Sequence, residues 1–75
     1  MADVEIDCKG LNCPMPIVKI SRAIRDLSTG DKLTVEANDP AFKADLEAWA
    51  RRLGHTIESF ETGEGAWQRA VLVKQ

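Results

Sequence analysis

Cys8 and Cys13 are the only cysteines of the 75-residue chain, and two of its three prolines, Pro14 and Pro16, crowd directly behind the second in CKGLNCPMPIVK. A thiolate is a nucleophile toward sulfur: it attacks a disulfide or persulfide, takes up a sulfur atom, or pairs with a second thiol. Pro14 pushes Cys13 toward extended backbone values, which suits a residue at or just before a helix N-cap. There the helix end, with roughly half a positive charge, favours thiolate over thiol. Pro14 and Pro16 each lack an N–H, so Met15 is left as the first-turn donor to the sulfur, and the expected activation is moderate. The prolines contribute stiffness instead. A stiff, exposed thiol enters another protein's active site at little ordering cost, which suits a carrier better than an enzyme that encloses a small substrate. The competing reading is that Cys13 packs and the prolines merely start a helix.

Cys8 has two readings of its own. Cys13 follows it by five positions with Gly10 between, a loop that lets the two thiols meet as a disulfide. The parity of Val4, Ile6 and Cys8 instead makes it a buried thiol at a strand end. Beyond the cysteines, Met15 and Val18 form a small apolar strip on the outer side of the expected helix. Lys9, Lys19, Arg22 and Arg25 surround it with charge that steers acidic partners, or else form an ordinary solvated face. His55, the single histidine, begins a strand remote from the Cys13 loop and is expected at the surface. With Cys8 and Cys13 it offers three ligands without the paired spacing of zinc sites, so no metal is expected. Trp49 and Trp67 read as packing.

The elements that must hold these residues follow from periodicity. Val4, Ile6 and Cys8 alternate with Glu5 and Asp7 as in a half-buried strand; Ile17, Ile20, Ile24 and Leu27 then recur at helical spacing from Pro14 until Ser28-Thr29-Gly30-Asp31. Leu33, Val35 and Ala37 make a second strand. Asp39 reads as the N-cap of a second helix with Pro40 at its first position, Phe42, Leu46, Trp49 and Leu53 on one face, and Gly54 as a left-handed C-cap. His55 to Glu61 and Ala66 to Lys74 form two strands joined by Thr62-Gly63-Glu64-Gly65. Phe60 falls out of step with Ile57. The order βαβαββ, with both helices on one face of a four-stranded mixed sheet, is a two-layer α/β sandwich. The continuous run Ala70-Val71-Leu72-Val73 puts the last strand inside the sheet.

Composition bounds the rest. One domain spanning residues 1–75 buries only about 60% of its unfolded surface, too little for a deep enclosed site. With 44% hydrophobic and 29% charged residues, the chain has the make-up of a folded globular protein. The net charge of −2 argues against nucleic-acid binding, which favours basic surfaces. The acidic start Met1-Ala2-Asp3-Val4-Glu5 lacks the regions of a secretory signal, and no stretch reaches the roughly 18 apolar residues of a membrane span, so a cytoplasmic protein is expected. There thiols stay reduced.

GLNCPMP, after EID and ahead of a helix, resembles the CPxP signature of the TusA/SirA family of small sulfur carriers; chain length, element order and the NDPA of Asn38 to Ala41 extend the resemblance over the whole chain. It implies a cytoplasmic sulfurtransferase without metal or organic cofactor. Cys13 would carry sulfane sulfur as a persulfide, with Pro14, Met15 and Pro16 completing the motif. Its partners would be a persulfide donor of the cysteine desulfurase or rhodanese type and a sulfur-accepting protein. Cys8 departs from the commonest family pattern, which leaves a thiol–disulfide redox protein using Cys8 and Cys13 as one alternative. A non-catalytic interaction or regulatory domain is another.

Overall fold

The computed structural model describes residues 2–12 and 14–75; Met1 and the candidate nucleophile Cys13 lie outside the described residues. The elements in chain order are β1 (Asp3–Asp7), α1 (Met15–Arg25), β2 (Lys32–Ala37), α2 (Phe42–Leu53), β3 (Thr56–Thr62) and β4 (Gln68–Val73). They form a four-stranded sheet in the order β1-β2-β4-β3, with β1 parallel to β2 and β4 antiparallel to both its neighbours. A parallel pair needs a crossover connection, and α1 supplies it. The expected βαβαββ sandwich with the last strand interior is the fold found.

Leu33, Val35 and Ala37 of β2 and Ala70 and Leu72 of β4 meet Ile20 and Ile24 of α1 and Phe42, Leu46, Trp49 and Ala50 of α2 in one buried cluster. Both helices therefore cover the same side of the sheet. Within β4 burial still alternates, with Val71 and Val73 half-buried and Ala70 and Leu72 buried, so the unbroken apolar run marks a central strand whose open side is also partly covered.

The mismatch between Ile57 and Phe60 has a local cause. β3 shifts register against β4 between Ile57, opposite Leu72, and Ser59, opposite Val71. The extra residue is a bulge, which resets the alternation so that Ile57 and Phe60, three apart, both pack on the core. Phe60 then stacks on Phe42, the ring centroids 6.2 Å apart.

Helix ends differ more from expectation. α2 starts at Phe42 with Ala41 at the cap position and no side-chain cap bond. Asp39, expected as the cap, instead accepts the Ala41 N–H on its carboxylate at 3.3 Å, and its carbonyl accepts the Phe42 N–H at 3.0 Å. Pro40 and Ala41 thus form a turn ahead of the helix, which moves the cap two residues on. Gly54 takes the left-handed conformation at φ 80°, as the C-cap reading required.

A buried carboxylate ties the start of the sheet together. Asp31 accepts the N–H groups of Ala2 at 2.9 Å and Ser28 at 2.8 Å, and those donors hold its carboxyl below its ordinary range. A lowered carboxyl pKa adds stability that is complete above the ordinary value of about 3.9 and is lost as pH falls through the lowered value. Asp31→Asn is therefore expected to melt lower than the wild type at neutral pH, with the two curves converging in strong acid. Thermal scans across pH check this, and a gap that stays constant with pH contradicts it.

Candidate functional site

The connection between β1 and α1 is held at several described points. The Cys8 N–H donates to the Glu36 carbonyl at 2.7 Å, extending the β1–β2 pairing by one residue. Lys9 N–H bonds the Asp7 carboxylate at 2.9 Å, and Leu11 N–H bonds the Cys8 carbonyl at 3.1 Å, closing a turn. Gly10 sits inside that turn at φ +84°, a left-handed conformation that favours glycine. Its N–H reaches the Asn38 side-chain oxygen, 2.9 Å away on the β2–α2 connection. The Lys19 ammonium, one turn into α1, donates to the Asp7 carbonyl at 2.7 Å.

Cys8 is fully buried in the core cluster. Burial pushes its thiol up, partly offset by the Lys19 ammonium and reinforced by Asp7. The buried strand-end reading describes this residue, and a closed, protonated thiol is a poor participant in exchange.

On the other side of the Cys13 position, α1 begins at Met15 with Pro14 as its cap residue and Pro16 in its first turn. The Met15 N–H, expected to face the sulfur, is spent on the Asn12 carbonyl at 2.8 Å. With no N–H on Pro14 or Pro16, that turn uses the one backbone donor of residues 14–16. Asn12, Pro14 and Met15 are exposed, whereas Pro16 is buried. The motif thus presents one proline and anchors the other.

The proposed docking residues fall into two groups. Met15, Lys19 and Arg22 of α1 are exposed and Val18 is half-buried. Lys9 and Lys19 also have local tasks, Lys9 lying 3.9 Å from Glu36 and Lys19 bracing β1. Glu36 is fixed in turn by the Trp67 indole N–H at 2.9 Å. Beside Pro14, an open groove of about 290 Å³ runs between the helices, lined by Ile17, Ala48, Trp49, Asp45 and Arg52.

His55 is half-buried rather than at the surface: its ring lies 5.2 Å from that of Trp49 and its Nδ1 accepts the Gln75 N–H at 3.2 Å. Burial, with the nearby Lys74 charge, pushes its pKa down. Among the described residues no three His, Cys, Asp or Glu side chains converge as metal ligands would, and no helix is long and apolar enough to cross a membrane.

Comparison with known proteins adds a family. YrkF of Bacillus subtilis, named "Putative sulfur carrier protein YrkF", is 50% identical over 73 residues, which is 97% of this chain but 39% of YrkF. This chain therefore spans well under half the length of that relative. "Putative sulfur carrier protein YrkI" of the same organism is 44% identical over 64 residues, 85% of this chain and 84% of YrkI. "Sulfur carrier protein TusA" of Allochromatium vinosum is 40% identical over 62 residues, 81% and 82% of the two chains. The family model described as "Sulfurtransferase TusA" matches residues 4–74; with that match spanning both helices and all four strands, the chain belongs to the TusA family.

Proposed function

We propose that the chain is a sulfur carrier that takes sulfane sulfur from a donor protein as a persulfide on Cys13 and hands it to an acceptor protein. The observation that carries this reading is the contrast between the two thiols' settings. Cys8 is sealed in the core, whereas Cys13 lies in sequence between exposed Asn12 and exposed Pro14, within the CPMP of a TusA-family chain.

In the first step the Cys13 thiolate attacks the outer sulfur of the donor's Cys–S–SH. A new S–S bond forms on Cys13, the donor's S–S bond breaks, and the donor leaves as a thiolate; the outer sulfur keeps its proton. In the second step an acceptor thiolate attacks the outer sulfur of Cys13–S–SH and Cys13 returns to thiolate. Neither step needs an outside oxidant, a metal or an organic cofactor. Donors of the cysteine desulfurase or rhodanese type meet the requirement for a protein persulfide, and the exchange belongs to the reducing cytoplasm, where Cys13 stays a thiol. The strip of Met15 and Val18 with Lys9, Lys19 and Arg22 is the docking face, and its charge favours partners with acidic rims.

The test is mass spectrometry of the protein after incubation with a cysteine desulfurase and cysteine. One added sulfur atom, removable by a thiol reductant and mapped to the Cys13 peptide, is expected. Loss of two hydrogens with both cysteines in one disulfide would instead make the chain a redox protein.

A further inference from the structure

Asn38 stands outside the CPMP motif and has no part in the chemistry above, yet its side chain ties the β2–α2 connection to the Cys13-bearing connection. Its side-chain oxygen accepts the Gly10 N–H at 2.9 Å across 28 residues of sequence. The neighbouring backbone is already fixed on one side by the Cys8 N–H on the Glu36 carbonyl. Two attachments, one at Glu36 on β2 and one at Asn38 just past its end, therefore clamp residues 8 and 10 against a strand in the middle of the sheet. On the far side the Met15 N–H on the Asn12 carbonyl sets the start of α1. Cys13 lies in sequence between these fixed points.

Gly10 makes the Asn38 bond matter. At φ +84°, glycine reaches many other conformations at little cost, so without the Asn38 acceptor the turn at Gly10 is held by the Leu11 N–H on the Cys8 carbonyl alone and has more freedom three positions before Cys13. We propose that Asn38 is a positioning residue: by holding Gly10 it fixes the approach of the Cys13 loop to the helix start. This rests on the sulfur-carrier reading. A pivoting residue ahead of Cys13 presents the sulfur to a protein donor in fewer productive orientations.

The test compares wild type, Asn38→Ala and Asn38→Asp in two assays. One is alkylation of Cys13 by iodoacetamide as a function of pH. The other is persulfide uptake from a cysteine desulfurase and cysteine, run above all the alkylation midpoints so that the charge added by aspartate does not limit the rate. Asn38→Ala is expected to shift the alkylation midpoint and to slow uptake about three- to tenfold, the worth of one hydrogen bond. Asn38→Asp keeps the acceptor oxygen and is expected to restore uptake, with buried Cys8 unalkylated throughout. Wild-type behaviour of Asn38→Ala in both assays overturns the proposal, as does failure of Asn38→Asp to restore uptake. So does alkylation of Cys8 in step with lost uptake, which marks general loosening. If the wild type itself takes up no sulfur, the carrier reading falls, and the alkylation midpoints alone then decide the role of Asn38.

Discussion

Cys13→Ser is expected to reduce persulfide uptake and onward transfer to background, while Cys8→Ala keeps uptake within about twofold of the wild type. Serine matches the shape of cysteine but has no thiolate at any working pH, so a transfer that forms an S–S bond at that position has no substitute. Cys8 differs because its sulfur is enclosed by the core and ionising it there is opposed by burial. The same fact has a thermodynamic signature. The native Cys8 pKa lies above the ordinary 9.0, so as pH rises the unfolded chain loses its proton first and binds fewer protons than the native state. Stability from the neutral thiol is thus complete below about 9 and declines above it. The wild type should lose stability relative to Cys8→Ala between neutral pH and about pH 10.5, read as a difference between two urea-unfolding series so that lysine titration cancels. Equal loss of uptake in both cysteine variants would replace the carrier by a two-thiol mechanism.

Much of this was legible in the sequence because the relevant signals are local. Alternation located Leu33, Val35 and Ala37, helical spacing located Ile20 and Ile24, and Gly54 announced its own left-handed cap. The parity of Val4, Ile6 and Cys8 foretold a buried thiol. What stayed hidden depends on partners distant in sequence or on small geometric insertions. A bulge between Ile57 and Ser59 leaves no mark beyond the mismatch of Ile57 with Phe60. The two-residue displacement of the α2 cap reflects Pro40 and Ala41 closing a turn where Asp39 looked sufficient. The bond of Asn38 to Gly10 spans 28 residues, so nothing local marks it. The bond of the Met15 N–H to the Asn12 carbonyl leaves no mark in residue types or spacing. Family resemblance supplied the choice of sulfur chemistry; spacing alone left Cys13 between a nucleophile and a packed side chain.

Trp49→Ala is expected to be among the most damaging single core changes, costing about 3–5 kcal/mol from a total of about 4–11 kcal/mol for a chain of this length. The indole is 4% exposed and stands where α2 faces α1, lining the groove beside Pro14 and Ile17 and packing against the His55 ring. A small domain has no second core to absorb such a loss. Since 1 kcal/mol shifts the midpoint of a domain this size by about 4–8 °C, the melting temperature should fall by on the order of 20 °C. Trp67→Ala is the informative contrast: that indole is half-buried and its polar end bonds Glu36 at 2.9 Å, so its removal should cost clearly less. Function separates from stability here, because Trp49 touches none of the bonds that fix residues 8–12. Well below its lowered midpoint, Trp49→Ala should take up sulfur at a rate close to the wild type. On warming, uptake should fail over the same interval in which Cys8 first becomes open to iodoacetamide. A variant that lost uptake while Cys8 was still protected would show that the helix-to-helix contact places the reactive loop directly, and the division between a stabilising core and an independently pinned loop would have to be abandoned.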